Sequence, residues 1–143
     1  QASVGLAQLE KLPEFIKTRR ENFEFLYDEM SKFEEFFILP ESTEYSKPSW
    51  FGFPITVKKK NKFSKEDLVN YLASKLVDTR PIFAGNLIKQ PYFKDKEFKT
   101  SKTLDNTEII MNQSFWIGVF PGLSTDMLEY IVTQFKTFVL ENK

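Results

Sequence analysis

The sequence predicts an α+β fold, a small and mainly antiparallel sheet covered by helices. Long stretches with apolar side chains three and four apart lie at both ends of the chain, and short aromatic and β-branched runs lie between them. Capping and turn residues separate the runs. The predicted order is helix, strand, strand, helix, strand, short helix, strand, helix, with no internal repeat, low-complexity tract or domain boundary.

Leu9, Leu12, Ile16, Arg19, Phe23, Leu26, Met30 and Phe33 trace one helix face. Pro13 interrupts it by removing a backbone donor, so the helix either kinks there or restarts with Leu12 beside its cap; a single kinked helix is the expectation. Arg19 falls on the apolar seam, where a charge is paired, reaches a cleft, or packs its stem while its head meets solvent. Phe36 to Pro40 reads as an edge strand closed by proline, and residues 41–48 as loop. Trp50, Phe51, Phe53, Ile55 and Val57 form the next strand with odd positions facing one way, and Gly52 leaves room for a neighbouring backbone.

Ser64-Lys65-Glu66-Asp67 has the form of a capping box that opens a helix with Leu68, Leu72 and Leu76 on one face. Asp78 to Phe83 is a further strand candidate. Residues 84–104, which hold Gly85-Asn86 and Gln90-Pro91, form a long irregular stretch of the kind often used for function. Asp105-Asn106-Thr107-Glu108 caps a short helix through Met111, Phe115 to Phe120 is a strand, and Ser124 caps a last helix with Met127, Ile131, Phe135 and Phe138 on its stripe.

Composition removes several kinds of chemistry. The 143 residues include no Cys and no His, which excludes a disulfide scaffold, a thiolate metal site and the commonest general base. Lys and Arg balance Asp and Glu at 20 each, so no polyanion partner is expected. The lysines of 58–62 read as a solvated loop rather than a nucleic-acid site, with Glu41, Glu44 and Glu66 nearby. Five glycines, with no phosphate-binding loop, metal motif or nucleophile elbow among the motifs, argue against a self-contained nucleotide or metal enzyme. No membrane span or secretory signal is present, so a cytoplasmic location is expected. The absent initiator Met and the helical pattern from the outset suggest a fragment.

Arg80 precedes a proline that holds the chain extended, and its guanidinium suits paired hydrogen bonds to phosphate or sugar oxygens. An ion pair with Asp78 or a nearby Glu is the alternative. Asn86 and Gln90 carry amides that match sugar hydroxyls; local bonding that shapes the loop is the alternative for Asn86. Trp50, Tyr92 and Phe93 are candidates either for stacking on a ligand or for core packing.

Ser49-Trp50-Phe51-Gly52-Phe53-Pro54, Thr79-Arg80-Pro81-Ile82-Phe83-Ala84-Gly85-Asn86, Gln90-Pro91-Tyr92-Phe93 and Ile117-Gly118-Val119-Phe120-Pro121-Gly122-Leu123 resemble the DegT/DnrJ/EryC1/StrS sugar aminotransferase family, closest to its nucleotide-sugar (CDP-4-keto-6-deoxyglucose) 3-dehydratase branch. The resemblance spans nearly the whole chain. It implies that residues 1–143 are the small C-terminal domain of a fold-type I pyridoxal-phosphate-dependent transferase, with the N-terminal cofactor domain absent. It also implies a deoxysugar enzyme of lipopolysaccharide O-antigen biosynthesis, a homodimer when full-length, with a nucleotide-sugar substrate and a reductase as further partner. Pyridoxal or pyridoxamine phosphate belongs to the full-length enzyme, and none is expected on this fragment. Arg80, Asn86 and Gln90 then line part of the substrate pocket, and no catalytic or metal-binding residue is expected here. A sugar aminotransferase of the same family and an independent protein-interaction module are the alternatives.

Overall fold

The computed structural model describes residues 1–143. Its elements are α1 (Ala2–Leu9), α2 (Leu12–Ser31), β1 (Phe37–Ile38), β2 (Gly52–Val57), α3 (Lys65–Ser74), β3 (Arg80–Pro81), α4 (Asp105–Gln113), β4 (Ser114–Gly118) and α5 (Thr125–Asn142), with two short 3-10 turns at Leu87–Lys89 and Pro91–Phe93. The four strands form one sheet in the order β1-β2-β4-β3, every pair antiparallel. The expected α+β architecture and the edge position of Phe37–Ile38 are both present.

Strand alternation builds the core. Phe53, Ile55 and Val57 of β2 and Phe115 and Ile117 of β4 project to one face, where each is at most 3% exposed. Leu26 and Met30 of α2, Leu68 and Leu72 of α3, and Leu128, Val132, Phe135, Phe138 and Val139 of α5 close over them in one apolar cluster. Phe135 lies at its centre, edge-on to Phe37 at 6.0 Å and parallel to Phe115 at 6.5 Å between ring centroids. The β1–β2 ladder stops after Ile38 and Thr56; extending the same register would set Pro40 opposite Pro54, and neither has an N–H to give.

The first helix departs from expectation. Two helices meet at Glu10 and Lys11, and Pro13 sits in the first turn of α2 with Lys11 as its cap. Pro13 has no N–H for the Leu9 carbonyl, so the chain takes the restart rather than the single kinked helix. The apolar stripe packs only over its C-terminal half: Asn22, Leu26 and Met30 are buried on α2, whereas Leu9 and Leu12 are exposed and α1 buries nothing.

The capping box of α3 forms as expected, with Ser64 Oγ accepting from the Asp67 N–H at 3.1 Å and Asp67 Oδ2 accepting from the Ser64 N–H at 2.8 Å. Leu76 does not join the stripe. The Leu76 and Val77 N–H groups donate back to the Ala73 and Leu72 carbonyls at 3.0 and 2.9 Å, which ends the helix in a left-handed turn. Leu76 occupies that turn at φ 60° and is 95% exposed, while Val77 fills the buried place.

The strand expected over 78–83 pairs only through Arg80 and Pro81. Past Pro81 the chain curls, with Phe83 and Gly85 at φ 45° and 61°. Gly85 is needed twice over, since an added Cβ would also come within 2.5 Å of the Met111 side chain. Gly52 makes room not for a backbone but for the Trp116 indole, whose Cε3 would meet an added Cβ at 2.5 Å. Leu104, without a side-chain bond, replaces Asp105 as the cap of α4. On α5, capped by Ser124 as expected, Met127 lies outside the buried stripe and Leu128 and Val132 within it.

Candidate functional site

Residues paired directly across antiparallel strands share a face. Arg80 pairs with Trp116, so both side chains leave the sheet on the side opposite the core. The Trp116 indole lies over Gly52, and the Phe51 ring approaches it to 4.7 Å at 52°. Phe51 is 58% exposed. Gly118, opposite Gly52 in the ladder, has only open space where a Cβ would stand. These residues make an open aromatic shelf with a guanidinium at its edge, a surface suited to stacking and to binding oxygen-rich groups.

Arg80 Nη2 lies 3.3 Å from Asp78 Oδ2, with the two side chains 65% and 80% exposed. An ion pair so open to water holds its partner weakly, which leaves the guanidinium free to exchange Asp78 for another anion.

Asn86 and Gln90 lie beyond β3, in the loop that seats on α4. Asn86 is 2% exposed; its Nδ2 donates to Glu108 Oε1 at 2.5 Å and its Oδ1 accepts from the Ile88 N–H at 3.3 Å. Lys89 Nζ donates to the other Glu108 oxygen at 2.7 Å. Donation by Lys89 and then by Asn86 holds the Glu108 carboxyl below its ordinary value. Gln90 Nε2 donates to the Ala84 carbonyl. Asn86 therefore anchors its loop to α4 and Gln90 closes the loop on itself, and neither hydrogen-bonds to Arg80. Tyr92 stands exposed with Lys96 Nζ 5.3 Å from its ring, and Phe93 packs edge-on to Phe98.

Trp50 belongs elsewhere, stacked on Phe23 at 4.9 Å and 8°. It lines a cleft of about 560 Å³ between α2 and the 40–50 segment, together with Glu24, Asp28 and Glu41. Arg20 ties that segment down by donating to the Lys47 and Pro48 carbonyls at 2.6 and 3.3 Å. Trp116 and Phe51 were not singled out as site residues from the sequence. The readable signal for Trp116 was the period of β4: with Phe115 and Ile117 in the core, Trp116 must face out.

No group of His, Cys, Asp and Glu has the arrangement of a metal site. Pyridoxal phosphate asks a protein for a lysine or histidine at its reactive carbon, a cradle for its phosphate and a carboxylate at its ring nitrogen. The chain has no His, and the starts of α3 and α5 are closed by their own caps, Ser64 with Asp67 and Ser124. Residues 1–143 do not assemble that donor set. No helix is long and apolar enough to cross a membrane.

Sequence and fold place the chain among proteins of a known kind. The model of the DegT/DnrJ/EryC1/StrS aminotransferase family matches residues 1–136, and the chain belongs to that family. It is 49% identical over 96% of its length to the lipopolysaccharide biosynthesis protein RfbH of Salmonella typhimurium, covering 32% of that protein. It is 36% identical over 99% of its length to the dTDP-4-dehydro-2,6-dideoxy-D-glucose 3-dehydratase of Saccharopolyspora spinosa, covering 30% of it. The solved structure of E. coli GDP-4-keto-6-deoxy-D-mannose-3-dehydratase with bound hydrated PLP superposes with a TM-score of 0.81 at 30% identity, over 92% of this chain and 33% of that one. The chain thus spans about a third of the length of the relatives it matches, and the family expected from its motifs is the family found.

Proposed function

We propose that residues 1–143 are the small C-terminal part of a pyridoxal- or pyridoxamine-phosphate-dependent nucleotide-sugar 3-dehydratase of deoxysugar and O-antigen biosynthesis, and that the outer face of the sheet is one wall of its sugar-nucleotide pocket. The observation that carries this reading is likeness along nearly the whole chain both to RfbH and to a protein named as a 3-dehydratase. The whole protein would be a cytoplasmic homodimer served by a reductase, and the residues described here would lack activity alone. Arg80 would hold phosphate or sugar oxygens by exchanging Asp78 for substrate. Asn86 and Gln90 would serve the same pocket through the loop they shape, and the Trp116 shelf would take a flat face of the ligand.

A second reading, an aminotransferase acting on a similar sugar nucleotide, is favoured by the designation of the family itself. The protein encoded by the full reading frame around these residues, supplied with the cofactor, glutamate as amino donor, a reductase with its reductant and a 4-keto-6-deoxyhexose nucleotide, separates the two by product mass. Loss of the 3-hydroxyl supports the dehydratase. An amine in place of the keto oxygen supports the aminotransferase, and no reaction with any sugar nucleotide overturns both.

A further inference from the structure

Four large apolar side chains, Leu76, Phe120, Met127 and Tyr130, are each at least 47% exposed and border one groove of about 500 Å³ between the end of α3, β4 and α5. The groove is held in shape by its own bonds. Tyr130 Oη donates to the Lys75 carbonyl at 3.1 Å, which ties α5 to the turn after α3, and the Asn22 amide holds the Phe120 carbonyl at 3.0 Å. Leu76 stands at the edge because the chain turns left-handed there, at φ 60°. Phe120 also borders a second cavity with Phe15 and Pro121, so it joins the groove to the first turn of α2. Beyond that turn α1 adds Val4, Leu6 and Leu9, all exposed, and a helix of eight residues that buries nothing is marginal in water by itself. Contiguous apolar surface of this kind marks a place that another surface covers.

Charge and length decide which surface that is. The groove lining holds Asp78 and Asp126 and no cation. A second copy docked about a twofold axis would set this patch against itself and bring those carboxylates toward like charges, an unfavourable arrangement. The chain covers only 32% and 30% of RfbH and of the Saccharopolyspora dehydratase, so about two thirds of a protein of that kind lies outside residues 1–143.

We infer that the face running from Leu76 and Met127 across Phe120 to Phe15 is the seat of the remaining part of the same polypeptide, which meets it with apolar side chains and a Lys or Arg opposite Asp126. The inference rests on the function proposed above for the existence of that part. Asp78 lines the groove and also pairs with Arg80 at 3.3 Å, so whatever fills the groove adjoins the substrate wall.

Photo-crosslinking in the protein encoded by the full reading frame tests it. Met127→p-benzoylphenylalanine and, in a second variant, Leu76→p-benzoylphenylalanine place a reactive ketone in the groove at positions exposed enough to leave the fold intact. On irradiation each should link to a residue outside 1–143 of the same chain, read as a cross-linked peptide by mass spectrometry and a band of monomer size on a denaturing gel. Tyr45→p-benzoylphenylalanine, at a position 97% exposed and bordering neither cavity, should give no such link. A band of dimer size from the groove variants would assign the face to a second copy, and links only within 1–143 would leave it open to water. Either result overturns the inference, as does a link from Tyr45 as strong as that from Met127. A protein that cross-links as expected but transforms no sugar nucleotide would sink the proposed function and leave this inference standing.

Discussion

On the inner face of the sheet Phe53, Ile55, Val57, Phe115 and Ile117 are closed off by three helices, while on the outer face Arg80 and Trp116 stand side by side with solvent in reach. Strand β4 supplies both sets, with Phe115 and Ile117 inward and Trp116 outward, so backbone pairing alone cannot account for the difference. What separates them is which side chains the helices α2, α3 and α5 cover. The inner set stabilises the fold through apolar burial; the outer set, left uncovered, is available for a ligand.

The sharpest way to break this contrast is to remove one ring from the covered side. Phe135→Ala deletes a fully buried side chain that contacts both Phe37 and Phe115, and should destabilise the chain by about 3–5 kcal/mol in urea unfolding. A loss near that of a surface substitution would mean that α5 does not organise the core.

Leu76 sharpens the contrast from the other direction. It is a large apolar residue placed in the open by a left-handed turn, a conformation that costs a side chain with a Cβ about 1 kcal/mol. Leu76→Gly should therefore raise stability by about 1 kcal/mol, read as a higher denaturant midpoint. A decrease would show that the exposed leucine packs in a way its position does not suggest.

The pattern of the sequence foretells the covered side well, for a physical reason. Apolar alternation over Phe53, Ile55 and Val57, the Ser64–Asp67 capping box and the Ser124 cap are local rules, and each held, whereas Phe51, expected on the same face, precedes β2 and lies exposed against Trp116. Departures occur where tertiary contact decides. Leu9 and Leu12 fit the helical stripe but find nothing to pack against, and Asn22 is buried because the Phe120 carbonyl comes to meet it. Arg80 was readable as a candidate from its place before Pro81, and its ion pair with Asp78 from their spacing. The Asn86 bond to Glu108 was not readable, because it joins residues 22 apart whose approach depends on how the loop seats on α4. The aromatic shelf needed the register of β2 against β4 to bring Phe51 and Trp116 together.

The loop beside the shelf has its own dependence on pH. Folding lowers the Glu108 value, so the contribution of its bonds to Lys89 and Asn86 is complete above the ordinary carboxylate value and is lost as pH falls through the lowered one. The Asn86 side-chain amide resonances should move with that titration, and cleavage within 84–104 by an acid-tolerant protease should quicken as the carboxyl protonates. Glu108→Gln should abolish the pH dependence; its persistence in that variant would assign the transition to another group.

The outer face itself is tested by Arg80→Ala in the complete protein, measured as kcat/KM for a keto-deoxysugar nucleotide beside the unfolding midpoint. Because Arg80 is exposed and weakly paired, stability should change by no more than about 0.5 kcal/mol, while kcat/KM should fall by about tenfold or more. Unchanged kinetics in a folded variant would contradict the account, since the uncovered face of the sheet would then have no part in holding substrate.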